Sequence, residues 1–293
     1  MRKGDGKAAA LFLLPYGVLF LVFVLSPLLY GFFISLHKWH ILDDQVPFVG
    51  FQNYRYVLQD DLFGIALART LLFVAIVVPV GNALSLLLAV ALNQRFLGTT
   101  FYKVAFYLPV LLTVSVLAVL WRWLYSAEYG ILNHYLSRLH PSIEGVQWLN
   151  NPQIAMPAIA LMSIWWGAGG NMLIYLAAIK SVPRELHEAA EIDGATPWQR
   201  FWRTTIPTIR PALIFCIVMS IIASSQVFGQ TLILTGGGPA FSTLTVILYM
   251  YQQGFGQYQL GYASAVAYVL FLLVFVFTLL ALRLIQKGIR SAQ

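Results

Sequence analysis

The chain has 293 residues, of which 59% are hydrophobic and only 10% are charged, and its mean hydropathy is +0.76. A soluble globular domain carries about 25% charged residues, so this composition excludes a protein whose whole surface faces water. The single cysteine, Cys216, excludes an intrachain disulfide, and one thiol does not make a zinc site.

Six long apolar segments follow one another along the chain, and each can cross a hydrocarbon core that needs roughly 20 helical residues. None shows the alternation of apolar and polar residues that a membrane-spanning strand requires. Because backbone groups find no water in lipid, helices remain as the spanning elements. The sequence therefore predicts an all-α membrane protein with six transmembrane helices, at residues 9–36, 70–93, 104–125, 154–179, 211–234 and 262–283.

The basic residues are distributed unevenly over the loops that six spans would create. Thirteen of the 18 lie on the side that carries both termini and the second and fourth loops, and five lie opposite. An excess of Lys and Arg marks the cytoplasmic side of a membrane protein. We therefore expect a multi-pass protein with both termini in the cytoplasm. The net charge of +7 is thus explained by basic residues near the cytoplasmic lipid surface, and a nucleic-acid partner is the weaker interpretation.

No motif for catalysis or nucleotide binding occurs in the loops. The glycine-rich run at 235–239 predicts a tight turn, and the chain lacks the Gly-x-x-x-x-Gly-Lys-Ser/Thr sequence that cradles phosphates. His134, His140 and Glu144 share one loop without metal-ligand spacing. We therefore expect a non-catalytic chain with no metal or cofactor of its own.

Residues 181–210 form a charged loop between the fourth and fifth apolar segments. Ser181 and Pro183 predict the start of a first short helix, because Ser caps helices and Pro suits a first turn. Gly194 predicts its end, since glycine accepts the left-handed conformation that follows many helices. The loop thus predicts a shaped, water-exposed helix–turn–helix where a short turn would suffice.

The first helix of the charged loop combines a small-residue ridge with an acidic face. Leu186, Ala189 and Ala190 stand at helical spacing, and the remaining face carries carboxylates, among them Glu188. An acidic helix is repelled by the anionic inner leaflet. Its ridge is suited to a groove on a partner protein.

A second helix is predicted after Thr196, which opens a capping box with Gln199. Trp198, Phe201 and Trp202 give this helix an aromatic flank, and Ile206-Pro207 closes the loop before the fifth span. An amphipathic helix that lies on the membrane surface is an alternative interpretation of this second helix.

The charged loop resembles the cytoplasmic loop shared by permease subunits of ABC importers. The matching residues are Glu188, Ala189, Ala190, Gly194, Ile206 and Pro207. Further motifs at 14–16, 26–30, 48–54 and 234–239 resemble the first subunit of the permease pair in the carbohydrate-uptake class. That class includes the maltose, glycerol-phosphate and oligosaccharide permeases, and the likeness extends over nearly the whole chain.

This resemblance implies a transmembrane subunit of a bacterial or archaeal plasma-membrane importer. Its partners would be a second permease subunit, two copies of an ATPase subunit that binds ATP and Mg²⁺, and an extracytoplasmic solute-binding protein. The charged loop would dock in a cleft of the ATPase, with Glu188 paired to a basic residue and the two alanines permitting close approach. Gly194 would set the turn between the helices.

Polar side chains inside the spans are candidates for contact with a sugar, because they are costly in lipid and mark a pathway or a bundle interior. Ser220 and Ser224 share one face of the fifth segment, and Trp166 and Gly167 lie in the fourth. The resemblance favours these four, since the related maltose permease binds sugar with the helices that flank the loop. Helix packing through small polar residues is the alternative interpretation.

Two other functions stay open at the level of sequence. An ion-coupled secondary transporter would need an acidic or basic residue deep in a span, and the six segments carry none there. A membrane scaffold or sensor fits the docking loop but leaves the polar residues inside the spans without a role. A permease subunit that forms half of a sugar pathway accounts for both features.

Overall fold

The computed structural model describes residues 5–94, 96–139 and 145–290. Within these residues every regular element is helical, and two isolated β-bridges join His37 to Phe48 and His40 to Gln259. Four helices are long and apolar enough to cross a membrane, or six if each of two bent helix pairs counts as one span. The predicted all-α class of membrane protein is therefore confirmed.

Four of the six predicted apolar segments correspond to continuous helices. The four continuous candidate spans are Phe12–Ser35, Asp61–Asn93, Ala155–Lys180 and Leu260–Arg283. One bent pair joins Thr99–Leu111 to Val114–Leu124 at 102°, and the other joins Pro197–Thr208 to Arg210–Ser225 at 70°. The shorter helices are Gln52–Gln59, Ile131–Leu139, Arg184–Ile192, Gly229–Thr235 and Val246–Tyr251.

The chain divides into two compact units, and the first comprises the described residues up to Phe63 together with Tyr249–Leu272. The carboxylate of Asp60 in this unit accepts hydrogen bonds from the phenols of Tyr249 and Tyr262. Burial raises the pKa of Asp60, but hydrogen bonds from these phenols and from two backbone N–H groups outweigh it and hold the pKa below its ordinary value. Asp60 therefore fastens the loop before the second span to two later helix segments of the same unit.

The second unit comprises Gly64–Leu248 and the chain from Leu273 onward. Helix Ala155–Lys180 forms its centre, because buried residues occur along its whole length. One apolar cluster packs this helix with Phe73, Trp121 and Leu234. A second cluster, near the charged loop, includes Tyr175 and Cys216. Such a helix is apolar all round because it is surrounded by other helices.

The third apolar segment is not the continuous helix that the sequence predicts. Its first helix ends at Tyr107, a 3₁₀ turn follows at Leu108–Leu111, and the next helix begins at Val114. Pro109 lies in the turn; it cannot donate to the carbonyl four residues back, and its ring crowds that carbonyl. Leu112 and Thr113 are extended, so the chain turns by 102° here.

The fifth apolar segment is also interrupted, between Ser225 and Gly229. The break frees backbone carbonyls that threonine hydroxyls then satisfy: Thr245 donates to Val227 at 2.9 Å and Thr231 donates to Phe228 at 2.9 Å. Thus the prediction of one helix over 211–234 is wrong, and two helices separated by a polar break take its place.

Gly169 marks the closest approach between two helices of the second unit. A Cβ atom at this position would lie 2.1 Å from the carbonyl oxygen of Phe106, which belongs to helix Thr99–Tyr107. Small residues allow such backbone contact between membrane helices. No other residue type fits here without displacing one of the two backbones.

We expect Gly169→Ala to lower the thermal stability of the purified protein, because overpacking of this kind costs about 1–3 kcal/mol. Gly170→Ala is the matched control, since a Cβ at Gly170 meets nothing within 4 Å and alanine favours the helix. Thermal unfolding followed by size-exclusion chromatography measures both variants. Equal stability of the two would contradict the close packing at Gly169.

Candidate functional sites

The first helix of the charged loop spans Arg184–Ile192 and begins after Pro183. The predicted capping role of Ser181 is wrong: its hydroxyl donates to the carbonyl of Ala178 at 2.8 Å, so Ser181 closes the preceding span instead. Pro183 occupies the N-cap position itself, without a side-chain cap. The extended backbone at Pro183 thus separates helix Ala155–Lys180 from helix Arg184–Ile192.

The end of this helix has the geometry predicted from Gly194. Gly194 is left-handed, with φ of +76°, and its N–H donates to Glu191 at 3.0 Å while Ala195 donates to Ala190 at 2.9 Å. This pair of bonds is the Schellman motif, which satisfies the last carbonyls of a helix. The turn therefore has a fixed shape.

The second helix of the charged loop begins with the predicted capping box between Thr196 and Gln199, and both of its hydrogen bonds are present. It continues through a π turn at Phe201–Thr205 to Thr208. An ion pair of 3.1 Å joins Arg200 of this helix to Glu191 of the first. The two helices of the loop are thus held together by a charge pair as well as by the turn.

The predicted docking residues lie on two different surfaces of the loop. Glu188 and Ala189 are exposed and Ala190 is half-buried, so the acidic face and its small-residue ridge are accessible to a partner. Glu188 makes only a long contact of 4.0 Å with Arg184 on its own helix. Ile206 instead packs against the apolar cluster beneath the loop, and Pro207 is exposed beside it.

The four predicted sugar-contact residues all line one cavity, which we call the interhelical cavity. It measures about 390 Å³ and lies within the second unit. Trp166 and Gly167 reach it from the fourth span helix, and Ser220 and Ser224 from helix Arg210–Ser225. Further polar residues in its wall are Ser85, Ser163, Asn171 and Gln230.

A hydrogen-bond network fixes the wall of the interhelical cavity. Ser220 accepts from the amide nitrogens of Asn82 and Asn171, each at 3.1 Å. The phenol of Tyr175 donates to the Asn82 side chain at 2.6 Å. The network connects three helices, so Ser220 has a structural contact as well as a place at the cavity. With both acceptor positions engaged, its hydroxyl can act toward a ligand only as a donor.

Neutral groups make up the wall of the interhelical cavity, since no Asp, Glu, Lys, Arg or His within the described ranges lines it. The indole nitrogen of Trp166 is buried and has no hydrogen-bond partner among the described residues. A buried donor without a partner is costly unless a ligand or water satisfies it. The cavity therefore offers aromatic surface, amides and hydroxyls, the groups that bind polyhydroxylated molecules.

Asn171 and Gln230 already stand out in the sequence as polar side chains inside the apolar segments, whereas sequence reasoning missed Tyr175 as a partner in this site. Asn171 lies five residues after Trp166, and an amide inside an apolar span is itself a signal. Tyr175 gave no such signal, because its pairing with Asn82 joins residues 93 positions apart. Gln230 reaches the cavity only because the fifth segment is broken before it.

Comparisons with known proteins place the chain in one family. Residues 81–291 match the family described as "Binding-protein-dependent transport system inner membrane component". The trehalose/maltose transport system permease protein MalF of Thermococcus litoralis is 32% identical over 284 residues, covering 97% of this chain and 95% of the relative. The sulfoquinovosyl glycerol transport system permease protein SmoG of Agrobacterium fabrum is 34% identical, covering 97% and 92%.

A solved structure has the same fold. It is the crystal structure of a bacterial ABC transporter involved in the import of the acidic polysaccharide alginate. The matched chain superposes with a TM-score of 0.83 at 25% identity, covering 97% of this chain and 96% of that one. The resemblance inferred from the charged loop and the accompanying motifs is thereby confirmed.

Proposed function

Because the chain belongs to the family of binding-protein-dependent transport system inner membrane components, we propose that it forms half of a sugar pathway in an ATP-driven importer. The observation that carries this proposal is the pairing of a neutral, hydroxyl- and amide-lined cavity with an exposed acidic loop on one chain. The relatives include permease proteins for trehalose/maltose and for arabinooligosaccharides. A sugar or oligosaccharide is the ligand class that fits the cavity wall.

The proposed topology has six spans, with the charged loop and both termini in the cytoplasm of a bacterial or archaeal cell. In this arrangement the bent pair Thr99–Leu111 and Val114–Leu124 supplies the third span. Helix Arg210–Ser225, continued by Gly229–Thr235, supplies the fifth. The asymmetry of basic residues supports the orientation, although Arg2, Lys3 and Arg95 lie outside the described residues.

The orientation is tested with single cysteines in a Cys216→Ala background. We expect an impermeant thiol reagent applied to intact cells to label Leu58→Cys but not Leu97→Cys, although both positions are well exposed in the protein. Permeabilised cells serve as the control, in which both positions should react. Labelling of position 97 from outside would overturn the topology.

The charged loop is proposed as the docking element for the ATPase. Partners in this assembly are a second permease subunit, two ATPase copies that hold ATP and Mg²⁺, and an extracytoplasmic solute-binding protein. The carboxylate of Glu188 supports the assignment, because it is exposed and its contact with Arg184 is long. The Schellman turn at Gly194 and the ion pair between Glu191 and Arg200 make the loop stiff, so that a movement of the ATPase is transmitted to the spans.

Glu188→Lys is expected to abolish stimulation of ATP hydrolysis by substrate and to weaken retention of the ATPase subunit, because it reverses a charge at the docking face. Glu185→Lys is the matched control: it makes the same charge change on the same helix at another exposed position. Affinity purification of the complex and ATPase assays in proteoliposomes measure both effects. Wild-type coupling in Glu188→Lys would remove the basis of the docking assignment.

The interhelical cavity is proposed as the sugar-contact region, with Trp166, Gly167, Ser220 and Ser224 in its wall. Two features support this role beyond helix packing. The indole N–H of Trp166 has no partner among the residues that the structure describes, and Gly167 faces open space, since a Cβ there meets nothing within 4 Å. A polar wall with unfilled volume and an unused donor suits a ligand.

Gly167→Leu separates sugar contact from packing, because the added side chain enters open space rather than a neighbouring helix. We expect sugar uptake to fall at least about tenfold, while complex yield and basal ATP hydrolysis remain unchanged. Gly170→Leu is the control, since position 170 is equally open but does not line the cavity. Full uptake by Gly167→Leu would place the pathway elsewhere.

A further inference from the structure

A second cavity of the same unit, which we call the loop pocket, has no role in the function proposed above. It measures about 430 Å³ and lies between the end of helix Val114–Leu124, the turn that follows, and residues 147–150. The side chains that give it chemical character are those of Arg122, Glu128, Tyr129, Gln147, Trp148 and Asn150.

The structure holds Trp148 of the loop pocket in a fixed position. Its indole nitrogen donates to the side-chain oxygen of Asn133 at 2.8 Å. Asn133 is buried, and its amide donates to the carbonyl of Val146 at 3.0 Å. The Trp148 ring also packs against Tyr125, with ring centroids 5.6 Å apart. Since its only polar atom is already paired, Trp148 offers the pocket an apolar ring face.

The other side chains of the loop pocket supply hydrogen-bonding groups of every kind. Arg122 is a donor, Glu128 is an acceptor, and the amides of Gln147 and Asn150 are both. A pyranose ring presents a C–H face and a rim of hydroxyls that both donate and accept. An immobilised aromatic face surrounded by such groups matches that ligand. A phosphate would not use the ring face, because that face is electron-rich.

The loop pocket and the interhelical cavity are connected by one short helix. Gln230 of helix Gly229–Thr235 lines the interhelical cavity, and Leu234 of the same helix lines the loop pocket. Four residues of α-helix advance by about 6 Å along the axis. The two lining residues are therefore one helical turn apart on the same face of the helix, so the cavities adjoin there, as the sites for neighbouring units of one saccharide chain would.

We propose that the loop pocket is a second saccharide subsite, which holds the unit of an oligosaccharide next to the unit in the interhelical cavity. This inference rests on the proposed sugar transport. By the proposed topology the pocket lies at the extracytoplasmic end of the pathway, so it receives the sugar before the interhelical cavity does. Its ligand is an oligosaccharide of two or more units, and a monosaccharide does not need it.

The experiment uses the complete importer with its solute-binding protein in proteoliposomes. A panel of gluco-, galacto-, arabino- and uronate saccharides of one to four units first identifies what the wild type transports. We expect Trp148→Ala to lower uptake of the longest transported saccharide about tenfold relative to the shortest, the loss of about one aromatic contact. Trp148→Phe, which keeps a ring, should restore most of this uptake.

A direct measurement keeps the test decisive if Trp148→Ala fails to assemble. In a Cys216→Ala background, Asn150→Cys places a thiol in the loop pocket, and Tyr135→Cys places one on an exposed helix outside it. Oligosaccharide should slow thiol modification at position 150 and leave position 135 unchanged. Absence of protection at 150, or an equal loss of uptake for all lengths in Trp148→Ala, overturns the second subsite. Absence of any saccharide uptake by the wild type overturns the proposed function instead.

Discussion

The requirement that every backbone polar group find a partner inside the bilayer governs the architecture of this chain. Non-helical backbone survives at membrane depth only where protein or a cavity covers it. The two interruptions in the apolar segments meet that condition. Val110 of the 3₁₀ turn lines the interhelical cavity, as do Val227 within the second break and Gln230 just after it. The cavity exists because two helices stop beside it, and threonine hydroxyls pair the carbonyls that the second break exposes.

Charged side chains and the neutral cavity wall occupy different parts of the chain. The interhelical cavity is lined by neutral groups, so a polar but uncharged ligand can enter it without the cost of a buried, unpaired ion. Carboxylates are instead concentrated on the exposed first helix of the charged loop, where water screens them until a partner binds. In the proposed function, recognition of the ligand and contact with the ATPase therefore make separate chemical demands. On that proposal, a substitution at Glu188 and one at Gly167 act on different steps.

The sequence predicted local structure correctly where the conformation depends only on neighbouring residues. The capping box at Thr196 and the left-handed turn at Gly194 depend only on neighbouring residues, and both are present. Apolar length likewise located the four continuous candidate spans. Ser181 shows where local rules compete, because a serine between two helices can close the first or open the second. The choice depends on the path of the chain, and that path is set by tertiary contacts.

The breaks in the spans were beyond local rules for a related reason. Pro109 interrupts its segment, whereas Pro79 lies inside the unbroken helix Asp61–Asn93. The second break contains no proline at all, and Gly229 after it sits against Val114, whose side chain would lie 2.9 Å from an added Cβ. Long-range packing of this kind decides where a helix stops. Candidate sugar-contact residues could still be named, since polar groups within apolar spans are few. The hydrogen-bond network that joins them through Tyr175 could not be predicted.

The contact between Gly169 and the backbone of Phe106 has a mechanical consequence for any cycle of opening and closing. Two helices whose main chains touch cannot slide past each other without lifting apart, so helices Thr99–Tyr107 and Ala155–Lys180 must travel as a single rigid body. Motion has to be absorbed where the regular helix is interrupted. Leu112–Thr113 and Ile209 are such points, and each lies at one of the two sharp bends. The break at Leu112–Thr113 thus serves twice: it is a hinge for this chain, and it follows the turn that lines the interhelical cavity.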